Sequence, residues 1–210
     1  MAQKAQYDSK HRLLKAALYL FNHFGFVSVR LQHIADEAGV SVGNLAYHFK
    51  TKDVLIETLY QSIINMQDKL LLEVSQAPIF STIDYYLKNT FYLQQQYSFF
   101  FTDTLELMRA FPSLRQHHRR HISYQLMQTE WLLKFSMSRG ALQHPIAPDS
   151  LALLSHRFTM MTENWMCFER MRGIGASDLQ VKSYCHALWS LLIPYFTNKG
   201  KDEFQHLHPR

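Results

Sequence analysis

Between Gly39 and Leu55 the chain reads GVSVGNLAYHFKTKDVL, a run whose residue types and spacing suit the binding of a polyanion. On a helix starting after Ser41, the residues Val42, Gly43, Asn44, Tyr47 and His48 face away from an apolar side carrying Leu45 and Phe49. Asn44 can donate to and accept from the edge of a base, while Tyr47 and His48 can reach backbone phosphate. Gly43 lets the helix approach a duplex closely. Lys50 and Lys52 follow directly, Lys52 at the start of a further helix whose free N–H groups attract anions. A hairpin used only for packing needs neither these lysines nor an outward polar face.

Other clusters promise less. No nucleophile and base stand at a recognisable spacing, so no enzyme is expected. His117 and His121 in RQHHRRH are four apart, a spacing compatible with a metal ion. No cysteine or third carboxylate joins them, and Arg115, Arg119 and Arg120 repel a cation, so the run reads as a solvated basic face. Neither metal nor cofactor is expected. Cys167 and Cys185 are equally far from Ala176, the middle of an expected turn, which places them at similar height in an antiparallel hairpin. A redox pair is one alternative there; two buried free thiols are the preferred reading.

These residues need short helices to hold them. Leu14, Ala17, Leu18, Phe21 and Phe24/Phe26 form an apolar stripe opened by Asp8/Ser9 and closed by Gly25. Ile34, Ala35 and Ala38 make a second stripe that stops at Gly39, a residue able to end a helix in the left-handed conformation. Ser41 caps a third helix and Thr51 a fourth, which runs to about Ser75. Two such short helices joined by Gly39-Val40-Ser41 form a helix-turn-helix, stable only when packed on the first helix. Lysine and arginine outnumber acidic residues over this stretch, and the whole chain carries a formal charge of +5. A positive field at one end suits nucleic acid.

Beyond Pro78 longer helices are predicted at Thr82–Tyr97, Phe99–Ala110, Ser113–Arg139, Asp149–Arg172 and Ser177–Thr197. Breaks are expected at Pro112, Gly140/Pro145/Pro148, Gly173/Gly175 and Gly200, and KDEFQHLHPR reads as a loose tail. The opening residues hold no secretory signal, and no apolar run approaches the roughly 20 residues that span a bilayer. With two cysteines only, the chain reads as a reduced, cytoplasmic protein.

The segment GFVSVRLQHIADEAGVSVGNLAYHFKTKDVL, Gly25 to Leu55, resembles the DNA-binding signature of the tetracycline-repressor (TetR) family. The match lies in Gly25-Phe26, Ile34-Ala35, Ala38-Gly39-Val40-Ser41, Gly43, Leu45, Tyr47-His48-Phe49, Lys52 and Leu55. It implies an all-α protein with an N-terminal three-helix helix-turn-helix domain, residues 1–55, and a larger C-terminal helical bundle, residues 56–200. Ser41 to Phe49 would be the recognition helix, with Val42, Gly43 and Asn44 nearest the bases and Tyr47, His48 and Lys52 on phosphate. Arg30, Gln32, Ser41 and Lys50 complete the DNA-facing set. Arg30 stands where the family usually has a Ser/Thr cap, Val42 replaces a frequent lysine, and Ala46 replaces a commoner aromatic.

The resemblance further implies that the second domain dimerises and binds an inducing ligand. The pocket candidates are Tyr85, Tyr86, Phe100, Leu105, Met108, Trp131, Phe135, Phe158 and Trp165, which a dense core would also explain. Few acidic residues punctuate the aromatic window, which tilts the expected effector toward neutral or anionic apolar compounds. The stripes Leu151, Leu154, Phe158, Met161/Thr162, Trp165 and Leu188, Leu191, Leu192, Tyr195 are the expected dimer face. The segment Phe99 to Phe111 is expected to shift when ligand enters. The resulting expectation is a homodimeric repressor that reads a pseudo-palindromic duplex DNA operator and leaves it when a small apolar effector binds. A redox-responsive regulator and an effector-free protein-interaction module are the alternatives.

Overall fold

The computed structural model describes residues 2–145 and 150–209; the expected break at Pro148 and the helix start at Asp149 lie outside the described residues. Eleven α-helices are formed by the described residues: α1 Ala2–Phe24, α2 Leu31–Glu37, α3 Val42–His48, α4 Lys52–Gln76, α5 Phe80–Gln96, α6 Ser98–Thr102, α7 Thr104–Ala110, α8 Pro112–Ser138, α9 Ser150–Met171, α10 Val181–Leu192 and α11 Asn198–Leu207. The chain divides into two compact units. The first runs up to Asn65 and takes in Tyr97–Arg115; the second holds Met66–Gln96 and everything from Gln116 onward.

In the first unit the buried side of α1 is Leu13, Ala16, Ala17, Leu20 and Phe21, one position away from part of the expected stripe. Leu14 and Leu18 are half-buried, and Phe24 is 60% exposed. The helix ends there because Gly25 takes φ +72°, and the reversed chain sends Phe26 inward instead. The segment expected as one helix, Phe99–Ala110, is two. The hydroxyls of Thr102 and Thr104 donate to the carbonyls of Ser98 (2.9 Å) and Phe100 (2.6 Å), bending the chain at Asp103. Both short helices belong to the first unit. Phe99 packs on Phe21 (5.3 Å between ring centroids), Phe100 on Tyr60 (5.2 Å) and Phe111 on Phe26 (6.0 Å). Asn22 Oδ1 accepts from the Phe99 N–H at 3.0 Å. Burying each phenylalanine contributes about 1.5–3 kcal/mol.

The second unit is built on Phe80, Ile83, Leu87 and Phe91 of α5, Leu132, Leu133 and Met137 of α8, Leu154, Phe158 and Met166 of α9, and Tyr184, Leu188, Trp189 and Leu192 of α10. Leu154, Phe158, Leu188 and Leu192 thus lie in the subunit's own core, which corrects their assignment to a dimer face. Pro194 ends α10 early, and Ile193–Tyr195 forms a 3-10 turn. The expected loose tail is instead α11, capped by Thr197, whose Oγ1 accepts from the Gly200 N–H at 3.1 Å. Glu203 accepts two bonds from Arg139 Nη2 (2.9 and 2.7 Å) and one from the Phe80 N–H (2.9 Å), while Phe204 packs on Trp189 and Phe196. These long-range partners turn a charged decapeptide into a helix.

Candidate functional site

Two residues set the helix-turn-helix. Gly39 ends α2 at φ +62°, its N–H bonding Asp36 O, while Val40 N–H bonds Ala35 O at 3.0 Å. Ser41 then caps α3, its Oγ accepting from Asn44 N–H at 3.1 Å. Ile34, Ala35, Leu45 and Phe49 are buried beneath. At the other end of α2, Arg30 is the N-cap residue, and its N–H donates to His33 Nδ1 at 3.2 Å.

The face left outward on α3 is Val42, Gly43, Ala46 and Tyr47, with Lys50 just beyond; Tyr47 is 70% exposed and Val42 42%. Ser41, Arg30 and Gln32 are exposed too, Gln32 bonded to Asp36 Oδ1 at 2.8 Å. A methyl on Gly43 would meet only Ser41 Oγ at 3.9 Å, so local packing does not require the glycine. Asn44 departs from expectation: it is half-buried, and its Oδ1 is enclosed without a hydrogen-bond partner in the structure. His48 is half-buried as well, its Nε2 lying 3.0 Å from Ser9 Oγ on α1. Both positions stand about 100° or more around the helix from Ala46, toward the packed side. Ala46, noted in the sequence only as a departure, is the residue that shares the outward face.

Lys52 is the clearest correction. Its ammonium is part-buried, donates to the carbonyls of Phe26 and Val29 (2.6 Å to the latter), and lies 5.7 and 5.8 Å from the ring centroids of Phe21 and Phe26. Burial lowers its pKa. The lysine closes the turn between α1 and α2 rather than standing free for phosphate. Exposed cations among the described residues of this unit are Lys10, Arg12, Lys15, Arg30, Lys50, Arg109 and Arg115.

The nine expected pocket residues do not converge. Phe100, Leu105 and Met108 belong to the first unit, with Phe100 in its core and Leu105 68% exposed. Tyr85 is exposed on α5; Trp131 and Phe135 stack on each other at 5.8 Å on the outer side of α8. Trp165 packs against Phe91 and Tyr184. Only Tyr86, Trp131 and Phe158 meet, at a narrow crevice they share with Leu71, Val74, Ile83, Gln128, Thr129 and Leu132. Its free volume, about 10 Å³, holds roughly one water.

Next to that crevice lies a group the sequence reading passed over. Glu163 Oε1 accepts from Gln125 Nε2 (3.0 Å) and Gln67 Nε2 (3.5 Å), and burial raises its carboxyl to about 7. An acidic residue one turn after Thr159, flanked by Met161, Trp165 and Met166 on α9, was the available signal. His118 and His121 are buried and held near pKa 4 by desolvation, whereas His117 is exposed, so the basic run is not uniformly a solvated face. Among the described residues no three His, Cys, Asp or Glu side chains gather to hold a metal ion. Cys167 and Cys185 are free, and burial raises the Cys185 thiol to about 11, away from thiolate chemistry.

A helix-turn-helix with an exposed short helix, joined to a larger bundle of helices, defines a DNA-binding regulator by class. The sequence matches the family described as "Bacterial transcriptional repressor" (TetR) over residues 65–204 and that described as "Bacterial regulatory proteins, tetR family" over residues 13–59. The chain belongs to the TetR family of bacterial DNA-binding transcriptional regulators. It is 42% identical over 57 residues to the HTH-type transcriptional regulator RutR of Escherichia coli K12, a match spanning 27% of each chain. Among solved structures, a TetR-family regulator from Marinobacter aquaeolei VT8 superposes with a TM-score of 0.83 at 26% identity, covering 94% of this chain and 96% of that one. SmeT in its triclosan complex gives 0.62 at 15% identity, covering 90% and 92%. No helix among the described residues is long and apolar enough to cross a membrane.

Proposed function

We propose that the protein represses transcription as a homodimer, reading a two-fold symmetric operator with α3 and releasing it when a small molecule enters the second unit. The observation that carries this is the outward face of α3: Val42, Gly43, Ala46 and Tyr47, with Ser41, Lys50 and Arg30 beside it. Such a face is poor in hydrogen-bonding groups and rich in methyls. It suits thymine C5-methyl groups at Val42 and Ala46, with phosphate anchored by Tyr47, Lys50 and Arg30. Asn44 and His48 serve chiefly to fix the helix, and Lys52 holds the turn beneath it.

Dimerisation is assigned to the outward face of α9, where Leu153, Met160, Phe168 and Met171 are exposed at helical spacing. A two-fold contact uses the same stripe on both subunits. The triclosan complex of SmeT supports a small-molecule site in a protein of this fold. The deciding experiment is fluorescence anisotropy on duplexes recovered by selection. Ala46→Asp should abolish operator binding with folding intact, and Tyr47→Phe should weaken all duplexes alike. Unchanged binding by both variants would exclude α3 as the reader.

A further inference from the structure

The interior of the second unit is unusually polar at one level. Gln67 from α4, Gln94 from α5, Gln125 from α8 and Thr162-Glu163 from α9 meet there, and Gln67, Gln94 and Gln125 are almost wholly buried. Gln125 and Gln67 turn their amide nitrogens to Glu163 Oε1, and Gln94 turns its nitrogen to Thr162 O at 2.7 Å. Tyr184 donates its hydroxyl to the same carbonyl at 3.3 Å. A carboxylate and a carbonyl only accept, so the nitrogens must face them and the amide oxygens must point elsewhere. Accordingly Gln94 Oε1 and Gln125 Oε1 are buried with no protein partner. A buried acceptor left in this state carries its desolvation cost uncompensated until a donor reaches it.

Three features give the cluster a direction. Glu163 forms no ion pair among the described residues. The apolar crevice lined by Leu71, Tyr86, Thr129 and Phe158 lies about one turn along the same four helices from Gln67, Thr90, Gln125 and Thr162. Tyr86 joins the two, lining the crevice and feeling the charge of Glu163. The result is an apolar entry ending in unpaired acceptors and an acidic group without a counter-ion.

We propose that this interior is a binding site for a small organic cation, an aromatic or aliphatic group carrying ammonium or amidinium N–H donors. The charged head lies against Glu163 and the amide oxygens of Gln94 and Gln125, and the apolar body lies in the opened crevice. The proposal rests on the reading of the second unit as an effector domain and sharpens it, reversing the expectation of a neutral or anionic ligand. Anions are disfavoured because the Glu163 carboxylate repels them and the unpaired amide oxygens of Gln94 and Gln125 present only acceptors. Ionisable neighbours of Glu163 are the phenols of Tyr86 and Tyr184, which burial keeps neutral, and His121 one turn from Gln125, also held neutral. Titration of the site near neutrality therefore belongs to Glu163.

Calorimetry with benzamidine and 2-naphthamidine, against benzamide and benzoate, tests this on the full chain. The amidines should bind, and at least tenfold more tightly than benzamide or benzoate at pH 8. Their affinity should fall about tenfold at pH 6, where Glu163 is largely protonated. Glu163→Gln should remove the cation preference and the pH dependence while the protein melts at least as high as before. Gln94→Met, a second variant, should weaken the amidines without touching the carboxylate. Equal or tighter binding of benzoate or benzamide, no binding of either amidine, or wild-type behaviour of Glu163→Gln overturns the proposal. The same samples are scored for duplex DNA binding at low salt. DNA binding retained without amidine binding sinks only this proposal, whereas amidine binding without DNA binding sinks only the regulatory reading.

Discussion

Replacing Lys52 with methionine separates two roles that sequence alone confuses. Methionine keeps an apolar stem against Phe21 and Phe26 but removes the two hydrogen bonds to the carbonyls of Phe26 and Val29. Bonds from a charged donor contribute about 1.5–3 kcal/mol each. The ammonium is only part-buried and desolvated at some cost, so the sum is discounted to roughly 2–4 kcal/mol of lost stability. Urea denaturation followed by far-ultraviolet circular dichroism should show this as a lower midpoint at unchanged slope. In parallel, the dependence of DNA affinity on salt is measured at a temperature where both proteins are folded. A phosphate contact would make the log–log slope shallower by about one unit on mutation; a turn-closing lysine leaves it unchanged. A shallower slope with wild-type stability would refute the structural role.

Three further outcomes are expected. Glu163→Gln should stabilise the protein above pH 7 and leave it unchanged below about pH 4. A carboxyl raised in the fold costs nothing while protonated in both states and is most costly once ionised, here about 3 kcal/mol. Thermal melts at pH 4 and pH 8 read this directly, and equal shifts at both would contradict it. Leu188→Asp should unfold the second unit because Leu188 is fully buried, whereas Met160→Lys should leave a folded monomer. Sedimentation and circular dichroism distinguish the two, and a Met160→Lys dimer would move the interface elsewhere. Gly200→Ala should displace α11, since a Cβ there collides with the Ala141 carbonyl, and a melting temperature equal to wild type would contradict that packing.

The local features of the first unit were legible because they are local. Gly39 and Ser41 carry their conformations in their own chemistry, and the buried set Ile34, Ala35, Leu45 and Phe49 follows from helical spacing. What the sequence hid depends on distant partners. Lys52 reads as a phosphate contact until the carbonyls of Phe26 and Val29, more than twenty residues earlier, are placed beside it. Phe100 reads as part of an effector pocket because nothing local ties it to Tyr60. The segment from Lys201 looks loose until Arg139 and Trp189 are seen to receive Glu203 and Phe204. Glu163 went unnoticed because an acid on a helix gives no sign that Gln67, Gln94 and Gln125 of other helices converge near it. Helix period shows which side of a helix is buried but not what it is buried against.

The most direct test of α3 as a two-fold DNA reader is selection of duplexes from a randomised pool by the purified protein. The selected sites should be inverted repeats, with half-site centres separated by about one turn of duplex or a multiple of it, and with thymine favoured where Val42 and Ala46 approach. Binding should weaken steeply with salt. A pool that yields no shared sequence, or an asymmetric site left unaffected by Ala46→Asp, would contradict it.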